Sequence, residues 1–314
     1  MEYRDDVRLI TRIAHMYYED ELTQNDIAKK LGISRPKVSR LLKRARELGI
    51  VQITIRSEHS YPDLEKQIET IFGIREAIIV PYYPEENDGL KDVLGRAAAT
   101  YFLRVVADNV VVGLSWGTTL FKLLNHIHST RNYDINFVSL IGGIGNAKID
   151  VHSNQIVLAC AKTMGGKAHL LHAPAVVDSL KVKESICSDK RIKEVLELGN
   201  RADIAIVGIG QPGSPTMMEA GYFTQKDMEE LKKAKAIGDL CSAFFDINGK
   251  RCDVDINDRI IGISLDQLKK IPLVIGVAGG KNKKKSILGA LRGGYLDVLV
   301  TDTETAKFLV KVGG

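Results

Sequence analysis

The chain has 314 residues, 45% of them hydrophobic, and a formal net charge of +5, enough for a small domain plus a larger one with separate cores. No run approaches the about 18 uninterrupted apolar residues that span a bilayer, and the opening MEYRDDVRLI is too charged for a secretory signal, so a cytoplasmic protein with no membrane partner is expected. Cys160, Cys187, Cys241 and Cys252 form no CxxC pair and precede no His cluster; they read as buried free thiols, not as a zinc site or a disulfide framework.

Val7, Ile10, Ile13, Ala14 and Tyr17 recur at helical spacing and predict a first helix ending near Glu19-Asp20-Glu21. Thr23 is placed to cap a second helix that buries Ile27, Ala28 and Leu31, and Gly32 then permits a sharp turn with Ile33 as its apolar plug. Ser34 caps a third helix, with Pro36 in its first turn, Val38, Leu41, Leu42, Ala45 and Leu48 as its buried stripe, and Gly49 at its end. The alternating VQITI over 51–55 reads as a strand, which makes residues 1–57 a winged helix-turn-helix.

From Arg35 to Arg46 six residues are basic and none is acidic. A basic run is most often only solvated surface, but here the cap, the glycine turn, the separated faces and the following strand fall in one register. That favours double-stranded operator DNA as the partner. A helix fits the major groove with its N-terminal side chains at base edges, so Arg35, Lys37, Ser39 and Arg40 are candidate base or near-base contacts. Ser34 belongs to the same set, and Lys43, Arg44 and Arg46 are expected on phosphates.

Beyond a boundary near Glu58 to Pro62, a helix-like stretch stops at Gly73 and a strand is predicted over 77–80. The runs NVVVGLS, INFVSLIGG, ADIAIVGIG, PLVIGVAGG and LDVLVTD alternate with helical segments, so residues 58–314 are expected to form a larger α/β domain with a mostly parallel sheet covered on both faces. Four of these strands enter glycine-rich turns. Gly113 to Thr119 precedes LFKLLNHI, so backbone amides and the hydroxyls of Ser115, Thr118 and Thr119 point to an anion site. Gly142-Gly143 and Gly208-Ile209-Gly210 follow two others, and Gly279-Gly280-Lys281-Asn282-Lys283 opens a helix whose lysines can neutralise the same anion. No turn matches a Walker loop or a well-placed GxGxxG, so no nucleotide, redox cofactor or metal is called for.

With GLSWGTT, the Gly142-Gly143 pair, GDLCSAFFDINGK, INDRIIGISL and VAGGKNKKKSILGAL in view, the chain resembles the SorC and DeoR-like family of bacterial sugar-responsive regulators from end to end. The resemblance implies an effector domain related to phosphosugar isomerases and deaminases, a phosphorylated sugar effector, and a homotetramer. It implies that Ser115, Gly117, Thr118 and Thr119 hold phosphate with help from Lys283, that Gly142 and Gly143 line the site, and that Asp246 accepts from sugar hydroxyls. A loop or cap role for Asp246 stays open. Ile141 stands where some relatives carry a lysine able to capture an aldehyde, so the effector is expected to bind non-covalently. Lys148 and His152 are either ligand contacts or surface.

Two other functions compete. A phosphosugar isomerase or deaminase with an appended DNA-binding head would draw on Asp246, Glu184, His152 and His172, which no motif assembles. A DNA-binding protein that senses nothing would have no use for several glycine-rich turns at strand ends.

Overall fold

Thr23 and Ser34 each sit one residue ahead of a helix, and both helices form there. In a computed structural model describing residues 2–51, 61–83, 87–128, 131–143, 152–219, 221 and 223–314, the N-terminal unit contains α1 (Glu2–Tyr18), α2 (Gln24–Leu31) and α3 (Arg35–Glu47). The Thr23 side chain accepts the Asp26 amide at 3.2 Å, and Gly32, in the left-handed region at φ 63°, turns the chain between α2 and α3. Ile10, Ile13, Ala14, Met16, Ile27, Ala28, Val38, Leu41, Leu42 and Ala45 are the core of this unit. Leu48, expected in the stripe, is 36% exposed because α3 ends at Glu47. The wing strand expected over 51–55 lies, from residue 52 on, outside the described residues.

The chain divides into two units, Met1–Glu58 and His59–Gly314. The second begins with α4 (Pro62–Phe72) and β1 (Glu76–Val80), followed by α5 (Asn87–Val105), β2 (Val110–Leu114), α6 (Thr118–Leu124), β3 (Ile135–Ser139), α7 (Ser153–Met164) and β4 (Lys167–His169). After the helical pair α8 (Leu180–Cys187) and α9 (Lys190–Asn200) come β5 (Ile204–Gly210), α10 (Pro215–Glu219), α11 (Gln225–Lys233), β6 (Gly238–Leu240) and β7 (Ala243–Phe245). The chain closes with α12 (Asp255–Asp258), α13 (Leu265–Leu268), β8 (Leu273–Val277), α14 (Lys284–Arg292), β9 (Val298–Asp302) and α15 (Thr303–Gly313).

Seven strands pair in the order β1-β9-β8-β5-β2-β3-β4, every pair parallel, so their C-terminal ends share one edge. Both faces are covered, as an all-parallel sheet requires. Alternate residues divide between two cores: Ile204 and Ile206 of β5 belong to the one containing α5, α6 and α7, while Ala205 and Val207 belong to the one containing Ile68, Ile287 and Leu309. The hairpin β6–β7 extends from β5 in antiparallel register, Gly210 opposite Asp239 and Ile209 opposite Leu240. Neither β4 nor this hairpin was expected from the sequence.

At the β1 edge the outward amides of Ala77 and Ile79 donate to the carboxylates of Glu69, at 3.0 Å, and Glu65, at 3.1 Å, both from α4. Burial holds the Glu65 carboxyl above its ordinary range despite the Ile79 bond.

Candidate functional site

On α3 the apolar stripe faces inward, and Ser34, Arg35, Lys37, Ser39, Arg40, Lys43 and Arg44 are exposed. Ser34 Oγ accepts the Lys37 amide at 3.4 Å, so part of its capacity is committed to the cap. Arg35, Lys37, Arg40 and Lys43 enter no ion pair among the described residues, whereas Arg44 reaches Glu47 at 3.0 Å. Arg46 leaves the expected phosphate-contact set. Its Nε and Nη2 donate to the Tyr18 hydroxyl at 3.0 and 2.8 Å, fastening α3 to α1. A groove of about 550 Å³ joins Arg35 to Thr23, Gln24 and Asn25 at the start of α2, polar residues that the sequence reading passed over.

The second region is the C-terminal edge of the sheet. Ser115, 2% exposed, ends β2 with its amide on the Ile206 carbonyl at 3.1 Å, and Gly117 follows at φ 130°, a conformation open only to glycine. A Cβ there would meet nothing within 4 Å, so the requirement is conformational. No acceptor faces the amides of Gly117, Thr118 and Thr119 among the described residues. Two strands away, β8 ends in Gly279-Gly280, with Gly280 at φ 95°, and a 3-10 turn over Lys281–Lys283 leads into α14.

The hairpin supplies what the sequence reading missed. Cys241 and Ser242 form its two-residue turn with φ 49° and 61°, both buried and neither glycine. This backbone puts the Ser242 amide on Asp239 Oδ2 at 3.1 Å and leaves Oδ1 buried without a partner. Burial pushes the Asp239 carboxyl up to about 6, against the pull of Lys283. Burial also lowers the Lys283 ammonium, which Asp239 partly offsets and nearby Lys91 reinforces. Cys241 is held as a neutral thiol, pushed up to about 12 by burial, and touches Ser115. The turn after β2, the hairpin and the start of α14 therefore meet around one buried anion and one buried cation. Such a place suits a ligand that carries both a negative group and hydroxyl donors.

Two expected contacts are not brought to this place. Asp246 lies beyond the far end of β7, where its Oδ1 accepts the amides of Asn248 and Lys250, both at 2.9 Å. A carboxylate bound that way shapes its own turn. Gly142 and Gly143 donate their amides to Ile261, at 3.0 Å, and Ala173, at 2.8 Å, and a Cβ on Gly142 would stand 2.5 Å from the Ala173 carbonyl. The pair permits a close backbone crossing, and its amides are spent there. His152 precedes α7, Lys148 lies outside the described residues, and Glu184 and His172 are exposed on separate segments.

The family model described as "Putative sugar-binding domain" matches residues 59–311, and one described as "MarR family" matches 13–60. The chain is 36% identical over 309 residues to the deoxyribonucleoside regulator of Bacillus subtilis (strain 168), covering 98% of each chain. It is 33% identical over 323 residues to the sorbitol operon regulator of Klebsiella pneumoniae, covering 99% of this chain and 100% of that one. Superposed on the crystal structure of the full-length sorbitol operon regulator from that organism, it gives a TM-score of 0.76 over 98% of this chain and 99% of the other. Among the described residues no helix is long and apolar enough to cross a membrane.

Proposed function

This chain belongs to the SorC/DeoR-like family of sugar-binding transcriptional regulators, and we propose that its hold on operator DNA is set by a phosphorylated sugar or polyol bound non-covalently at the C-terminal edge of the sheet. The observation that carries this reading is the buried pair of Asp239 and Lys283 beside the unaccepted amides of α6. The phosphate sits against Gly117, Thr118, Thr119 and Lys283, Ser115 supports it from below, and Asp239 Oδ1 accepts from a sugar hydroxyl. Asp239 takes the role first given to Asp246. Ile141 is fully buried in the core and has no nucleophile to offer, in keeping with non-covalent binding.

In the other unit, Arg35, Lys37, Ser39 and Arg40 read base edges while Ser34, Lys43, Arg44, Gln24 and Asn25 meet the phosphate backbone. The chain acts as a homotetramer in which effector occupancy selects the spacing of these helices. It is a regulator and not an isomerase: Glu184 and His172 stand exposed and apart, and Asp246 serves its turn. The test is a thermal-shift screen against phosphorylated and unphosphorylated pentoses, hexoses and polyols, followed by operator binding with each hit. A hit that requires the phosphate and changes operator affinity is expected. A protein that responds to none, or equally to the parent sugars, would remove the phosphate from the proposal.

A further inference from the structure

Asp302 is the residue in which the effector loop and the last helix are joined. It ends β9, is fully buried, and accepts four hydrogen bonds. Oδ1 takes the amides of Glu304 and Thr305, each at 3.0 Å, which caps α15. Oδ2 takes the Thr305 hydroxyl and the Gly280 amide, each at 2.6 Å. A Cβ on Gly279 would stand 2.6 Å from the same oxygen, so the loop meets the carboxylate too closely for any side chain. The loop that carries Lys283 and the start of α15 thus share one anion, and neither end can shift without disturbing the other's bonds.

A second contact runs beside it. Lys284, next to Lys283, lies over the Phe308 ring of α15 at 5.9 Å. From there α15 packs along α4: Ala306 and Leu309 share a core with Ile68, and a Cβ on Gly313 would stand 2.6 Å from Phe72 and 2.7 Å from Ile71. In the sequence, α4 is the first described element after the DNA-reading unit.

We propose that Asp302 is a positioning residue that sets the Gly279–Lys283 loop for the effector and passes its occupancy through α15 to α4. The proposal rests on the reading of this edge as the effector site. It names a route made of rigid elements and one shared carboxylate, and what defines such a route is a coupling factor, the ratio of operator affinities with and without effector.

The experiment measures that factor in the full-length protein, with inorganic phosphate and a panel of pentose, hexose and polyol monophosphates as probes. Effector affinity is measured separately in each variant. Asp302→Asn should weaken effector binding at least about tenfold, since one of its oxygens becomes a donor facing a donor. Gly313→Ala, at the far end of α15, should leave effector affinity within about twofold while bringing the coupling factor close to one. A merely structural role would lower the melting temperature and leave the coupling factor alone. If Asp302→Asn fails to fold, Gly313→Ala alone decides. Wild-type coupling in Gly313→Ala would overturn the route while leaving the effector site standing, whereas a wild-type protein that couples to no probe would overturn both.

Discussion

Asp239→Asn separates the proposed effector contact from an ordinary core acid, because it should stabilise the free protein and harm its response. A carboxyl held near 6 in place of the ordinary 3.8 is ionised in the folded state at a cost of about 3 kcal/mol. The folded form binds the proton more tightly than the unfolded one. This group's contribution is therefore complete below about pH 4 and lost as the pH rises through about 6. At neutral pH the wild type carries the full penalty. Asparagine does not titrate, but its amide nitrogen must stand where Oδ1 now has no partner, which returns about 1–2 kcal/mol of the gain. The net expectation at pH 7.5 is a variant more stable by about 1–2 kcal/mol, or roughly 2–8 °C at 2–4 °C per kcal/mol. Its stability profile between pH 4 and 6.5 should flatten by the same group. Effector affinity should fall by roughly 10- to 150-fold, the worth of a charge-assisted hydrogen bond of about 1.5–3 kcal/mol. Calorimetry across pH gives the first quantity. Fluorescence of Trp116, the chain's single tryptophan and part of the turn after β2, gives the second. A variant that is less stable at pH 7.5, with the wild-type pH profile, would show that Asp239 is not a strained anion.

Three further outcomes are expected. Arg35→Ala with Arg40→Ala should weaken operator binding and reduce the salt dependence by about 0.9 in log–log slope for each phosphate that is no longer neutralised, with effector binding intact by titration. Lys283→Ala should cut affinity for phosphorylated probes by more than about tenfold and leave the weak binding of parent sugars unchanged in the same fluorescence titration. Arg259, whose Nη2 pairs with the buried Asp227 while Nε meets Asp255 at 2.6 Å and Nη1 the Val177 carbonyl at 2.9 Å, holds α11 to the body of the domain. Arg259→Ala should therefore lower stability by about 3–5 kcal/mol in denaturant unfolding, because it strands a buried carboxylate.

The DNA-reading unit was legible because its signals are local. Thr23, Gly32 and Ser34 act on their immediate neighbours, and the stripe from Val38 to Ala45 has the period of its helix. Arg46 was misread because its partner, Tyr18, lies 28 residues away, and spacing on one helix carries no news of another. The parallel strands announced themselves as apolar runs. β6 and β7 did not, since each has three residues and their turn is Cys-Ser, where Asn-Gly would be the usual signal for two left-handed residues. With the hairpin unseen, the acid beside Phe245 looked as suitable as the one beside Gly238. Only the antiparallel register, with Asp239 opposite Gly210, turns one inward and leaves the other outside. The motif INDRIIGISL likewise stood for resemblance alone until Arg259 proved to be a buried clasp.

The glutamates that α4 lays along β1 bear on how copies of this chain can come together. An open strand edge is a template: a second sheet can add to it, and head-to-tail addition of that kind has no natural end. Here Ala77 and Ile79 offer no vacant donors, and a newcomer would have to unseat Glu65, Glu69 and the helix that bears them. Growth of the sheet past β1 is thereby foreclosed. A finite, closed ring of subunits is left to meet through helices and loops, whose side chains can be matched to one neighbour and no other.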